Sequence, residues 1–177
     1  IAEEAYEVEC NGASEKKLKN LRDPHEKRPR TNSINTPAPP EEKQQSWEVG
    51  LFWDYENVRI PKGFDTVTAS NLLREKLVHY GQLCTKRLYY DSRKRSEAGT
   101  DRMGLDNSGF TVVDCPTRNQ KEGVDKKIIV DVMSFAWARV SKQVPACVAL
   151  ISSDGDYSYM LNKLRDMRVH VVVIYGP

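Results

Sequence analysis

The 177-residue sequence has little of what would mark several large classes of protein. No apolar run approaches the ~18 residues that a membrane-spanning helix needs, so a membrane protein is not expected. Four cysteines (Cys10, Cys84, Cys115 and Cys147) form no CxxC pair and have no histidine at zinc spacing. Three of them sit in or beside predicted strands and read as reduced, packed residues rather than as a disulfide framework or a zinc site. Histidine is scarce: His25, His79 and His170 fall in three unrelated segments, and none suggests a histidine-based mechanism. Neither GxGxxG nor GxxxxGK[ST] follows the first apolar segment, so a dinucleotide or P-loop site lacks its phosphate cradle. Large apolar residues are few in residues 1–46, which carry Glu/Lys clusters, Lys27-Arg28-Pro29-Arg30 and Thr36-Pro37-Ala38-Pro39-Pro40. Such a stretch cannot bury enough surface to offset its ordering entropy, and a disordered low-complexity tail is expected there, with a marginal helix near Glu15–Leu21. The first residue is Ile rather than Met, as in a fragment, so an absent leader says little about address. Cysteine usage points to an intracellular protein, cytoplasmic, with the nucleus as the alternative that the basic run leaves open.

Residues 47–177 differ in kind. Apolar residues make up 39% of the chain and charged residues 29%, enough for one core. Of 27 Lys+Arg and 25 Asp+Glu, the tail holds 8 and 9, leaving 19 and 16 beyond it. That balance is no nucleic-acid footprint unless several acids gather in one cleft, which would leave the remaining surface basic. The pattern predicts strands at 49–54, 83–90, 110–113, 146–151 and 169–174. Helices are predicted at 66–80, 124–140 and 157–167, with a short one within 92–107. Val67, Leu72, Leu73, Leu77 and Val78 are the expected apolar face of the first helix. Strands alternating with helices imply parallel crossovers. The fold class is therefore α/β, a three-layer sandwich around a mainly parallel sheet of about five strands.

The acids fall at one edge of that sheet. Gly50-Leu51-Phe52-Trp53-Asp54 is an apolar run ending on a carboxylate, and Asp91 ends the second strand. Asp154 and Asp156, in Ser152-Ser153-Asp154-Gly155-Asp156, follow the fourth strand; taken alone, they equally describe a helix cap. Asp125 lies on the apolar face of the long helix defined by Ile128, Ile129, Val132, Phe135 and Ala136, so it points inward. Asp131 lies on the flank of that face. Ligands in open α/β sheets bind outside the carboxyl ends of the strands. Two carboxylates about 5 Å apart repel by roughly 3 kcal/mol at an effective dielectric of 20, so such a group needs protons or a cation. Oxygen donors without His or Cys suit Mg²⁺ or Mn²⁺, ions that activate water and stabilise charge on a phosphoryl oxygen. Arg118, Lys121, Lys126 and Lys127 border the Asp125 loop, and Arg93, Lys94 and Arg95 follow Asp91. Either they meet the phosphates of a bound strand or they are simply solvated. Tyr55 and Tyr157 adjoin the acids and read as base-stacking or packing residues.

Three segments in order, Phe52-Trp53-Asp54-Tyr55-Glu56-Asn57, Glu122-Gly123-Val124-Asp125-Lys126 and Ser152-Ser153-Asp154-Gly155-Asp156-Tyr157, closely resemble the signatures of the NYN domain, a branch of the PIN-like ribonuclease superfamily. The resemblance covers residues 48–175 and is nearest to the meiosis regulator and mRNA stability factor type. It implies metal-dependent endonucleolytic cleavage of single-stranded RNA, with RNA-binding modules joined to the domain outside this fragment. Carried over, Asp54, Asp125 and Asp154 are the core metal-binding acids, Asp156 is an additional acid that other members lack, and Asp91 matches an acidic position. Asn57 would orient Asp54 or a metal-bound water, or close a turn. Ser152 and Ser153 would contact phosphate or cap, and Lys121, Arg118 and Lys126 would bind RNA. Readings from other classes are an RNA-binding NYN module without catalysis, an aspartate phosphoryl-transfer domain using Asp54, and a protein-interaction scaffold.

Overall fold

The period-two alternation of the apolar strands decides how the layers form. The computed structural model describes residues 8–10 (backbone only), 47–94, 101–116 and 123–176. In chain order these give β1 (Val8–Cys10), β2 (Glu48–Asp54), α1 (Thr66–Leu77), β3 (Gln82–Tyr90) and α2 (Arg102–Asn107). There follow β4 (Thr111–Asp114), α3 (Gly123–Val140), β5 (Ala146–Ile151), α4 (Ser158–Asp166) and β6 (His170–Ile174). One sheet has the order β1-β6-β5-β2-β3-β4. Strands β2 to β6 are all parallel to their neighbours, and β1 pairs antiparallel with β6, Cys10 opposite Val172. The α/β sandwich with five parallel strands is thus present. The sixth strand comes from residues expected to carry no strand; Val-Glu-Cys is too short for periodicity to register. The rest of residues 1–46 lies outside the described residues.

Residues Val49, Leu51 and Trp53 of β2 pack on one side with Leu77 of α1 and Leu105 of α2. Phe52 packs on the other with Val124, Ile128, Val132, Phe135 and Ala136 of α3 and Met160 and Leu164 of α4. Because side chains alternate across a strand, Gly50, Phe52 and Asp54 all face α3. Gly50 is required there, since a Cβ would lie 2.8 Å from the Phe135 ring. β2 is buried on both faces, as expected of a central parallel strand.

Helix α1 departs from expectation. Its last predicted turn is a 3-10 turn, Val78–Tyr80, and Val67, Leu72 and Val78 are exposed. Leu77 is buried and Leu73 packs partly buried on the core, as expected, but the rest of the buried side is Thr66, Ala69 and Ser70. Small polar residues serve because α1 lies close to α2 and its flanks: Thr66 Oγ1 donates to Asp101 Oδ2 at 3.0 Å, and Ser70 Oγ to the Ser108 carbonyl at 3.5 Å.

A candidate active site at the switch point of the sheet

From β2 the chain winds outward to β3 and β4, then returns through α3 to β5 on the other side of β2. The carboxyl ends of β2 and β5 thus flank the point where the strand order reverses, the usual ligand crevice of such sheets. Trp53 is level with Ile151, so Asp54 comes level with Ser152. The turn after β2 is closed by Val58 N–H on the Asp54 carbonyl at 3.1 Å and by the Trp53 indole on the Val58 carbonyl at 2.6 Å. That closure returns the Asn57 side chain onto Asp54.

Asp54 is 0% exposed. Its Oδ2 accepts from Asn57 Nδ2 at 2.6 Å, Ser152 Oγ at 3.1 Å and the Tyr157 hydroxyl at 3.0 Å. Its Oδ1 is buried and has no hydrogen-bond partner among the described residues. The Tyr157 hydroxyl also lies 2.9 Å from Asp125 Oδ1. A phenol has one proton to donate. With two carboxylates around it, either one of them carries a proton or a cation must neutralise the pair. Burial pushes the Asp125 carboxyl up from its ordinary range, the Tyr157 bond opposes this, and the charges of Asp54, Asp154 and Asp156 push it up further. The Tyr157 phenol is also driven upward, by burial first and then by the Asp54 charge.

The remaining acids are spent differently. Asp154 caps the 3-10 turn Gly155–Tyr157, its Oδ1 accepting from Asp156 N–H at 2.9 Å, while its own N–H donates to Ser152 Oγ at 3.1 Å. Asp156 and Ser153 are exposed. Asp91 is buried, accepts from Arg93 N–H at 3.0 Å and pairs with its guanidinium at 3.2 Å. Glu56 accepts from Asp91 N–H at 3.0 Å and pairs with Lys94. Asp114, at the tip of β4, holds Ser92, and Lys127 donates to the Asp114 carbonyl at 2.9 Å. The edge therefore divides into a cation-balanced group around Asp91 and an acid-rich group around Asp54 and Asp125. Arg93, Lys94 and Lys127 are engaged within the first group, and Lys126 follows Asp125 in the first turn of α3. Arg118, Lys121 and Arg95 lie outside the described residues.

Of the two readings for Tyr55 and Tyr157, packing holds: they are 8% and 1% exposed, so neither offers a face to a base. Tyr157 is the residue that sequence reasoning undervalued. Its helical spacing with Met160 and Leu164 marks it as buried, and a buried phenol needs a polar partner. Glu56 was also missed, having no periodicity to mark it. Asp131, on the flank of α3, accepts from Tyr89 at 2.7 Å and pairs with Arg87 at 2.6 Å.

The NYN domain family matches residues 48–177. The chain belongs to the NYN domain family, a PIN-like nuclease family. It is 28% identical over 128 residues to "Meiosis regulator and mRNA stability factor 1" of Xenopus tropicalis and 26% identical to the protein of that name in Mus musculus. Each match takes in 72% of this chain but only 7% of the relative's length. A Vibrio parahaemolyticus protein of unknown function shares the fold, with a TM-score of 0.55 at 18% identity, covering 73% of this chain and 82% of that one. Among the described residues no NYN helix is long and apolar enough to cross a membrane.

Proposed function

We propose that this NYN domain is a metal-dependent endoribonuclease acting on single-stranded RNA. The observation that carries the reading is Asp54 Oδ1, a fully buried carboxylate oxygen without a partner among the described residues, beside Asp125 at the switch point. Native proteins rarely leave such an atom unsatisfied. The relatives' name, an mRNA stability factor, supports RNA as the substrate class.

The donor chemistry fits Mg²⁺ or Mn²⁺: hard carboxylate oxygens, with no His or Cys taking part. Among the described residues no group of three or more His, Cys, Asp or Glu is arranged to hold an ion. That is compatible with Mg²⁺, which keeps several waters and takes one or two carboxylates plus substrate phosphate. Asp54 and Asp125 would hold the ion. Bound there, it would lower the pKa of a water and stabilise charge on the scissile phosphate. Asn57, Ser152 and Tyr157 fix the Asp54 carboxylate. Asp154 orders the turn that delivers Tyr157, and Asp156 adds negative potential. Asp91, neutralised by Arg93, shapes the edge rather than binding the ion. Lys126 and Ser153, exposed beside Asp125 and Asp154, would meet the RNA phosphates, as would Lys121 and Arg118.

A second reading, RNA binding without cleavage, is favoured by Asp91 and Asp154 being committed to internal contacts. Incubating labelled single-stranded RNA with the chain, with and without Mn²⁺, separates the two. Mn²⁺-dependent fragments support cleavage, and RNA retention without fragments supports the binding module.

A further inference from the structure

We propose that the RNA strand leaves the crevice across the outer surface of α3 and α4, its bases stacking on Tyr159 and Trp137. This rests on the reading of RNA as ligand, and not on the metal or on cleavage. Tyr159 and Trp137 are 75% and 66% exposed, the two most exposed aromatic side chains among the described residues. Both stand on the helical layer that forms one wall of the crevice, since α3 and α4 pack on the same core cluster.

On α3, Lys126, Val130, Met133 and Trp137 recur at intervals of four, three and four, which puts them in one stripe. It lies opposite the buried Ile128, Val132 and Phe135. The stripe starts beside Asp125, runs over Val130, which is 62% exposed, and ends on Trp137. Trp137 is roughly 18 Å along the helix axis from Asp125, a distance that about five nucleotides cover even at a stacked spacing of ~3.4 Å. Tyr159 opens α4 two residues after Tyr157, whose hydroxyl meets Asp54 and Asp125. Lys163, one turn further along α4, holds its Nζ 5.5 Å from the centre of the Tyr159 ring. A cation is thus within reach of the phosphate next to a base stacked on Tyr159.

Charge favours RNA over an apolar protein partner on this face. Residues 123–168 hold seven Lys and Arg against five Asp. Three of the five are the crevice acids Asp125, Asp154 and Asp156, and Asp131 and Asp166 pair with Arg87 and Lys163. Outside the crevice this side of the domain is therefore basic, which suits a phosphate backbone. Open aromatic rings on a basic surface are the parts of a sequence-tolerant platform for single strands.

The test is fluorescence anisotropy of a labelled oligouridylate of about 12 nucleotides, titrated in EDTA with the full chain as wild type, Tyr159→Ala, Trp137→Ala and Trp137→Phe. Both side chains are exposed, so these substitutions leave the core packed. Each Ala variant should bind about 10-fold more weakly, the scale of one lost stacking contact, while Trp137→Phe keeps a ring and most of the affinity. On an abasic strand of the same length all four proteins should bind alike. The strand should also quench the tryptophan emission of the wild type, and much less that of Trp137→Phe. A wild type that binds the strand, with Ala variants that bind it equally well, overturns the track alone and leaves this face to a protein partner. Equal losses on the abasic strand overturn the stacking role. A wild type that binds no RNA overturns the RNA reading, and this inference falls with it.

Discussion

A fully buried carboxylate needs compensation for its lost hydration, and Asp54 has donors on one oxygen only. The acids beside it raise the cost of keeping Asp125 charged. Its carboxyl titrates above the ordinary range because of burial and then the charges of Asp54, Asp154 and Asp156. A group whose folded-state pKa is raised stabilises the fold at pH below its unfolded value, about 3.9, and that stability is lost as pH rises through the folded value. Without metal, Asp125→Asn should therefore melt a few degrees above wild type at pH 7, roughly what 1 kcal/mol does in a domain of this size. The gain should shrink at pH 4. Melting in EDTA at both pH values checks this; a lower melting temperature for Asp125→Asn at pH 7 would show that the acids are not in conflict. The inward position of Asp125 was readable from its distance to Ile128 and Val132, because helical periodicity carries orientation. The bridging role of Tyr157 was not, because it depends on two residues 103 and 32 positions away.

Among the elements, β2 and α3 set the geometry of the crevice. Gly50 lets Phe135 of α3 approach the sheet, and this contact helps to hold α3 where its first turn presents Asp125. Gly50→Ala should cost about 1–3 kcal/mol by overpacking, and Phe135→Leu in the same chain should recover part of it. Denaturant midpoints of the single and double variants measure the effect, and full additivity would contradict direct contact. At the start of β6, the His170 ring stacks on Tyr80 at 5.5 Å and meets Trp47 edge-on at 5.9 Å. Burial pushes its pKa down, and Nε2 has no hydrogen-bond partner among the described residues. A His lowered in the folded state costs stability as pH falls through its unfolded value, about 6.5. His170→Phe should reduce the loss of stability between pH 7 and pH 5; an equal loss in both proteins would place the acid sensitivity elsewhere. Most elements were legible to within a residue or two, because continuous apolar runs mark β2 and β5 and helical spacing marks α3. The buried side of α1 was misread: Leu72 and Val78 look like core residues by composition, yet contact with α2 needs small side chains. β1 was invisible because its pairing on β6 is set from far along the chain.

For the whole molecule, the sheet can position Asp54, Asp125 and Tyr157 without the segment that precedes it, since β2 to β6 pair among themselves. Deleting residues 1–46 removes the β1 pairing on β6 and exposes that edge. A melting temperature lower by a few degrees, roughly 1 kcal/mol, with RNA cleavage retained, is the expected result. Loss of folding would show that this segment completes the core. Mn²⁺ should in turn stabilise the whole domain, by about 2.7 kcal/mol at 100 times its Kd. The most direct test of the central claim is single-turnover cleavage of a labelled single-stranded RNA in Mn²⁺ by wild type, Asp54→Asn and Asp125→Asn, all shown to be folded. Cleavage by wild type, lost in both variants while RNA affinity is kept or raised, is the predicted result. Cleavage that persists in both variants would contradict the assignment of this site.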